Sequence, residues 1–188
     1  MDYGLPKFGS DGFLQGDQMD TKINQLSRDR LFVLLEIFAK NWLAHDGLWF
    51  QAVEKAHGLD EAMKLDAQAW HRFSPIEAKR IKEFLALPDQ GGLEALEIAL
   101  RFRLYAVLNR QHSEFIDGRL RFYMNDCRVQ SARKRKGLPD FPCKEVGKVE
   151  YSRFATAIDP RIQTTCIACP PDRHPETYHC AWEFWLES

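Results

Sequence analysis

Ser113-Glu114-Phe115-Ile116-Asp117-Gly118-Arg119-Leu120-Arg121-Phe122 is the stretch that decides the fold class. Asp117-Gly118 carries the signature of a type I′ turn, in which both central residues need a positive φ. Counting outward from it pairs Ile116 with Arg119, Phe115 with Leu120, Glu114 with Arg121 and Ser113 with Phe122. That register puts Phe115, Leu120, Phe122 and Met124 on one face, and the Glu114/Arg121 pair on the other. The segment therefore predicts an antiparallel hairpin with one apolar side. Two strands cannot fold alone, so the rest of the chain must supply what covers that side.

Upstream of Gln111 the apolar period is helical. Ser27 is a candidate N-cap for a first helix running to about Ala44, with Leu31, Leu34, Leu35, Phe38 and Trp42 as its buried stripe. His45-Asp46-Gly47 predicts a break. A short helix follows, carrying Leu48, Trp49, Ala52, Val53 and Ala56 and ending at Gly58. Asp60 opens a third helix, with Leu65, Ala69, Trp70 and Phe73 on its apolar side. Ser74-Pro75-Ile76-Glu77 has the composition of a helix start, with a capping Ser, Pro at the first position and Glu at the third. The helix it predicts runs to Leu87, and a fifth spans Leu93 to about Leu108. These segments make a helical bundle over residues 22–110, preceded by a loosely ordered arm, residues 1–21, which Phe8 or Phe13 could pin to the body.

Downstream of the hairpin, Asn125-Asp126 caps a helix that begins near Cys127 and ends in Arg133-Lys134-Arg135-Lys136. A second helix begins near Cys143, carries Val146, Val149, Phe154 and Ala157, and stops at Asp159-Pro160. On it, Glu150 reads as a surface carboxylate and Tyr151 as half-buried. The tail, residues 161–187, is RIQTTCIACPPDRHPETYHCAWEFWLE. It reads as two strands separated by a Pro-rich loop, with Trp182, Phe184 and Leu186 on the core side and Trp185 opposite. Residues 111–188 thus have the order β-β-α-α-β-β. The expected fold is α+β: an N-terminal helical bundle packed on a four-stranded antiparallel sheet with two helices.

Chemistry concentrates in that tail, which holds three of the five cysteines and two of the six histidines. Cys166-x-x-Cys169 sits at the end of one strand and Cys180 at the start of the strand returning from it, so antiparallel pairing brings the three together. Cys127 and Cys143 each stand at a helix N-terminus, where free N–H groups favour the thiolate. Cys143, Cys166, Cys169 and Cys180 are the candidate metal ligands, with Cys127, His174 and His179 in reserve. Zinc is the first choice for a thiolate set; an iron–sulfur cluster is the alternative, although the spacing follows neither common ferredoxin pattern. The plain alternative is that several of these cysteines are small buried hydrophobes.

Composition narrows the classes further. With 188 residues, 45% of them hydrophobic, the chain can bury a core without disulfides, and its net charge of −1 gives no global attraction to polyanions. The basic run from Arg128 to Lys136 is better read as cations complementing a helix dipole than as a nucleic-acid contact. No apolar run is long enough for a transmembrane helix and the first residues lack a secretory pattern, so a cytoplasmic protein with no membrane partner is expected. A homo-oligomer is compatible with the sequence.

Residues 46–87, DGLWFQAVEKAHGLDEAMKLDAQAWHRFSPIEAKRIKEFLAL, and the tail segments CIACPPD and CAWEFWL resemble an uncharacterised family of bacterial and archaeal cytosolic proteins. The C-terminal half is distantly similar to vinyl-reductase-type small-molecule-binding domains and to aminothiazoline-carboxylate hydrolases. Cys169 and Cys180 stand where those domains carry late cysteines before the last strand. The resemblance implies a pocket for a small-molecule ligand or a metal. The expected function is a zinc-dependent binding or sensing protein. The alternative is a hydrolase of a small amide or thiazoline-like ring that uses a cysteine or a metal-bound water.

Overall fold

The computed structural model describes residues 21–187, so the arm and its Phe8 and Phe13 lie outside the described residues. The elements run α1 (Thr21–Asn24), α2 (Arg28–His57), α3 (Leu59–Phe84), α4 (Gly92–Leu100), α5 (Leu104–Leu108), β1 (Arg110–Ile116), β2 (Arg119–Asp126), α6 (Arg128–Arg135), α7 (Lys144–Ile158), β3 (Ile162–Ala168) and β4 (Cys180–Leu186). The chain divides between Phe38 and Ala39 into two compact units. In the first, the Ser27 hydroxyl accepts the Arg30 N–H at 3.4 Å, as expected of an N-cap.

The second unit is α+β, with β-β-α-α-β-β order and an antiparallel sheet in the order β1-β2-β4-β3. The hairpin turns where the sequence places it. Asp117 and Gly118 have φ of 51° and 73°, and the pairs Ile116/Arg119, Phe115/Leu120, Glu114/Arg121 and Ser113/Phe122 all form. Leu120, Phe122, Met124, Trp182 and Phe184 face inward against Tyr151, Phe154, Ala155 and Ile158 of α7 and Leu93, Leu96 and Leu100 of α4. Phe115, paired with Leu120, shares that face as expected but lies at its edge. Phe115 is half exposed, because the helices press on β2, β4 and β3 rather than on β1. Leu186 is likewise exposed at the far end of β4. On the opposite face Arg121 pairs with Glu183 at 2.8 Å instead of Glu114, and Arg119 reaches Glu183 at the same distance.

Two expected helix boundaries do not exist, and one unexpected break does. His45-Asp46-Gly47 lies within α2, which runs unbroken for thirty residues. Ser74-Pro75 lies within α3, which continues through the proline. The fifth helix is instead two pieces, because the chain becomes extended at Arg103 (φ −64°, ψ 149°). Packing explains each departure. Trp42 of α2 stacks on Phe73 and meets Trp70 and Tyr105 edge-on, with centroids 6.0–6.2 Å apart. Such contacts outweigh the cost of about 1 kcal/mol for glycine in a helix. Ala62, Trp70, Ser74, Glu77 and Ala78 form one buried stripe along α3, and a break at Ser74 would take half of it out of the core.

Arg103 interrupts the fifth helix to occupy the interior. Its guanidinium reaches Glu77 Oε2 at 2.8 Å and Glu150 Oε1 at 2.7 Å; the second is an ion contact outside hydrogen-bond geometry. The rings of Phe154, Tyr105, Tyr151 and Trp70 surround it at 4.7–5.8 Å. Glu150 is therefore buried, not the surface carboxylate its neighbours in sequence suggest, and Tyr151 is fully rather than half buried. The expected stripe Leu31, Leu35 and Phe38 on α2 is exposed, as are Leu48 and Trp49.

Candidate functional site

The cysteines gather at one end of the sheet, where α7 begins. Cys143 is the residue before the first turn of α7, and its carbonyl accepts the Gly147 N–H at 2.7 Å. Cys166 pairs with Trp182 near the end of β3, after which the ladder shifts register before Ala168. That irregularity turns the chain into the Cys169-Pro170-Pro171 loop. The Lys144 N–H donates to the Pro170 carbonyl at 3.0 Å, tying the loop to the helix start. Cys180 opens β4 opposite Met124. Strand pairing, one backbone hydrogen bond and the helix start thus position four thiols.

Cys169, almost fully buried, lies at their centre. Its Sγ is 3.5 Å from that of Cys143, and the thiols of Cys166 and Cys180 are also within its hydrogen-bonding reach. Those neighbouring thiols, together with burial, hold the Cys169 thiol well above its usual range. Cys166 is shifted the other way: it accepts a hydrogen bond from Cys169 and faces the Lys144 ammonium, both of which favour its thiolate. Lys144 is itself bridged to Asp172 at 2.8 Å.

The four first-choice residues therefore come together, and Cys127 borders them near Cys180 and Cys143. The expectation that its helix N-terminus favours the thiolate fails for Cys127. Burial pushes its thiol up to about 12, against hydrogen bonds from the Gln130 and Val129 backbone. His174 and His179 face each other, ring centroids 5.7 Å apart, and His174 Nδ1 lies 3.0 Å from the Pro175 carbonyl. Burial first, then His174, keeps His179 below the usual histidine range.

Gln130 is the residue that sequence reasoning missed. Fully buried on α6, it receives the Phe141 N–H at 2.8 Å, donates to the Phe141 carbonyl at 2.9 Å and places Nε2 3.6 Å from Cys143 Sγ. A lone glutamine inside a basic helix offers no signal for that role. Lys144 and Asp172 offered a faint one, each following closely on a cysteine.

Sulfurs around one zinc ion lie about 2.3 Å from it, which sets them a little under 4 Å from each other. The 3.5 Å Cys143–Cys169 separation is close to that spacing. The cluster is nonetheless not a finished cage, because among the described residues no three ligating side chains already stand in metal-binding geometry.

A model for a family of unknown function (DUF6125) matches residues 23–186. The chain belongs to that family. No curated protein matches it. Among solved structures, the phenol-responsive sensory domain of the transcription activator PoxR, crystallised with phenol, is similar with a TM-score of 0.49 and 15% sequence identity. The match covers 96% of this chain and 84% of that one. No helix among the described residues is long and apolar enough to cross a membrane.

Proposed function

We propose that the protein is a metal-dependent small-ligand-binding or sensing protein in which Cys143, Cys166, Cys169 and Cys180 hold one zinc ion. The observation that carries this reading is the convergence of three thiols, from a helix start and two strands, on the buried Cys169. Four protonated thiols in contact satisfy each other poorly, since S–H is a weak donor and sulfur a weak acceptor. A divalent cation that displaces their protons joins all four sulfurs strongly. Four protein ligands leave no open coordination position, so the metal's role is to fasten the Cys169–Cys180 loop onto α7 rather than to activate water. Gln130 Nε2, 3.6 Å from the Cys143 sulfur, is placed to orient that ligand from behind. Ligand binding belongs elsewhere. An open surface depression between α3 and α7, lined by Ala67, His71, Arg72 and Val149, is one place for it.

The alternative, a cysteine hydrolase, draws on one observation: Cys166 is biased toward its thiolate beside Lys144. Metal analysis and cobalt substitution separate the two readings. Protein purified under reducing conditions should contain one zinc per chain. Its cobalt form should show the strong near-ultraviolet sulfur-to-metal charge transfer of a thiolate set. Protein that holds no metal, takes up no cobalt and is alkylated rapidly at Cys166 alone would remove the zinc reading and favour the hydrolase.

A further inference from the structure

Cys143 and Cys169 meet sulfur to sulfur at 3.5 Å, and the backbone around them is braced on both sides. The Cys143 N–H donates to the Phe141 carbonyl at 2.8 Å, and Gln130 holds Phe141 through both its N–H and its carbonyl. Opposite, the Asp172 N–H closes a turn onto the Cys169 carbonyl at 2.8 Å, and the Asp172 carboxylate is bridged to Lys144, the residue after Cys143. The bond from the Lys144 N–H to the Pro170 carbonyl joins the two segments directly. We propose that Cys143 and Cys169 are a redox couple: a peroxide oxidises them to a disulfide, which takes two of the four sulfurs from the zinc and releases it. This inference rests on the zinc reading above and adds the regulation of that site.

Geometry selects this pair over the Cys166-x-x-Cys169 motif. A disulfide needs Cα atoms within about 7 Å of each other. The hydrogen bond between the next residue of each segment sets the backbones at Cys143 and Cys169 side by side. Cys166 is instead held in β3, where three extended steps cover roughly 10 Å. The register shift after Cys166 draws the sulfurs together but leaves Cys166 and Ala168 both paired with β4. Closing a bridge from Cys166 to Cys169 therefore bends β3 out of that pairing.

The chemistry balances. Cys143, partly exposed where Cys169 is buried, meets the oxidant first. Its thiolate takes one peroxide oxygen as the O–O bond breaks, giving a sulfenic acid and hydroxide. The Cys169 thiolate then attacks the Cys143 sulfur, forms the S–S bond and expels a second hydroxide. Solvent protonates both hydroxides to water. Two thiolates have lost two electrons, and one peroxide has gained them. Cys166 and Cys180 alone leave zinc with half of its ligands. The new bond still ties the loop to α7, so the metal leaves while the loop stays in place.

Peptide mapping of the full chain tests the proposal. Zinc-loaded protein is treated with hydrogen peroxide, blocked with iodoacetamide and digested with trypsin without reduction, while a metallochromic dye follows the zinc. Trypsin places Cys143 in peptide 137–144, Cys166 and Cys169 in 162–173, and Cys180 in 174–188. The expected result is 137–144 joined to 162–173 through Cys169, one zinc released per cross-link, and reversal by dithiothreitol. In metal-free protein Cys166→Ser should keep the cross-link and Cys143→Ser should lose it. Fragment spectra of the wild-type cross-link locate the bond even if a variant folds poorly. Zinc-loaded protein whose cysteines all stay open to alkylation overturns the inference, as does a disulfide at Cys166 or Cys180. Those outcomes leave the zinc reading standing. A chain that takes up no zinc but forms the Cys143–Cys169 cross-link does the opposite: it removes the zinc reading and keeps the couple.

Discussion

The sulfurs of Cys143 and Cys169 stand 3.5 Å apart across twenty-six residues of sequence. One belongs to a helix start and the other to the loop leaving β3, and the Lys144 N–H to Pro170 carbonyl bond holds the two segments together. Cys169→Ser should abolish stoichiometric zinc binding, because it removes the thiol on which the other three converge. Cys127→Ser should retain one zinc per chain. Plasma emission spectrometry of both variants, purified in parallel, decides the ligand set; equal metal content in the two would refute it.

If zinc fastens the loop, removing it lowers stability, since a ligand bound only by the folded state stabilises that state. A tight chelator should depress the apparent Tm by about 5 °C or more, in line with a loss of at least ~1–2 kcal/mol for a chain of this size. Restoring zinc should reverse the drop. Scanning calorimetry with and without chelator reads this directly, and an unchanged transition would contradict the fastening role.

Gly147→Ala distinguishes helix propensity from packing. Propensity alone favours alanine by about 1 kcal/mol in a helix interior. A Cβ at position 147, however, would lie 2.6 Å from Trp182 Cζ2 and 3.0 Å from Cη2. Trp182 is buried and cannot swing away, so the substitution should destabilise by about 1–3 kcal/mol. Urea denaturation gives the sign.

Arg103→Met leaves Glu77 and Glu150 buried without their cation. The expected cost is roughly 3–5 kcal/mol, typical of breaking one side of an interior ion network. Adding Glu77→Gln and Glu150→Gln to the same chain should recover much of the loss. A single substitution that costs less than about 1 kcal/mol would mean that the carboxylates relax to water.

Asp66 and Asp159 pull stability in opposite directions with pH. Burial, reinforced by the charges of Asp46 and Glu150, pushes Asp66 up to about 7 against a hydrogen bond from Trp70. Its folded pKa lies above the unfolded value of 3.8, so its ionisation costs stability that is lost as pH rises from about 4 to about 7. Asp66→Asn should therefore gain on the wild type across that interval, by on the order of 2 kcal/mol at pH 8. Asp159 behaves the other way. Hydrogen bonds from the Arg161 side chain, then from the Arg161 and Gly92 backbone, bring its carboxyl down to about 2. Its contribution is complete above 3.8 and disappears as pH falls toward 2. With Arg161 half exposed, it is worth about 1–2 kcal/mol. Melting curves of Asp159→Asn and wild type should converge at the acid end.

Local chemistry carried a large share of this molecule in its sequence. The Asp117-Gly118 turn set the hairpin register residue by residue, because a two-residue loop leaves no freedom in how its strands pair. Cys127 and Cys143 could be placed at helix starts because the polar and proline residues before them end the preceding segment. The proximity of Cys166, Cys169 and Cys180 followed from strand order alone. Tertiary structure decided the rest. A Ser-Pro-x-Glu start at Ser74 was overruled because the stripe from Ala62 to Ala78 is buried as a unit. Glu150 became an interior ion partner because Arg103, forty-seven positions earlier, left its helix to meet it. Cys169 became the centre of the thiols because the start of α7 lands on the loop after β3. In each case the deciding energy lies between residues distant along the chain, and no local pattern in either partner records the other.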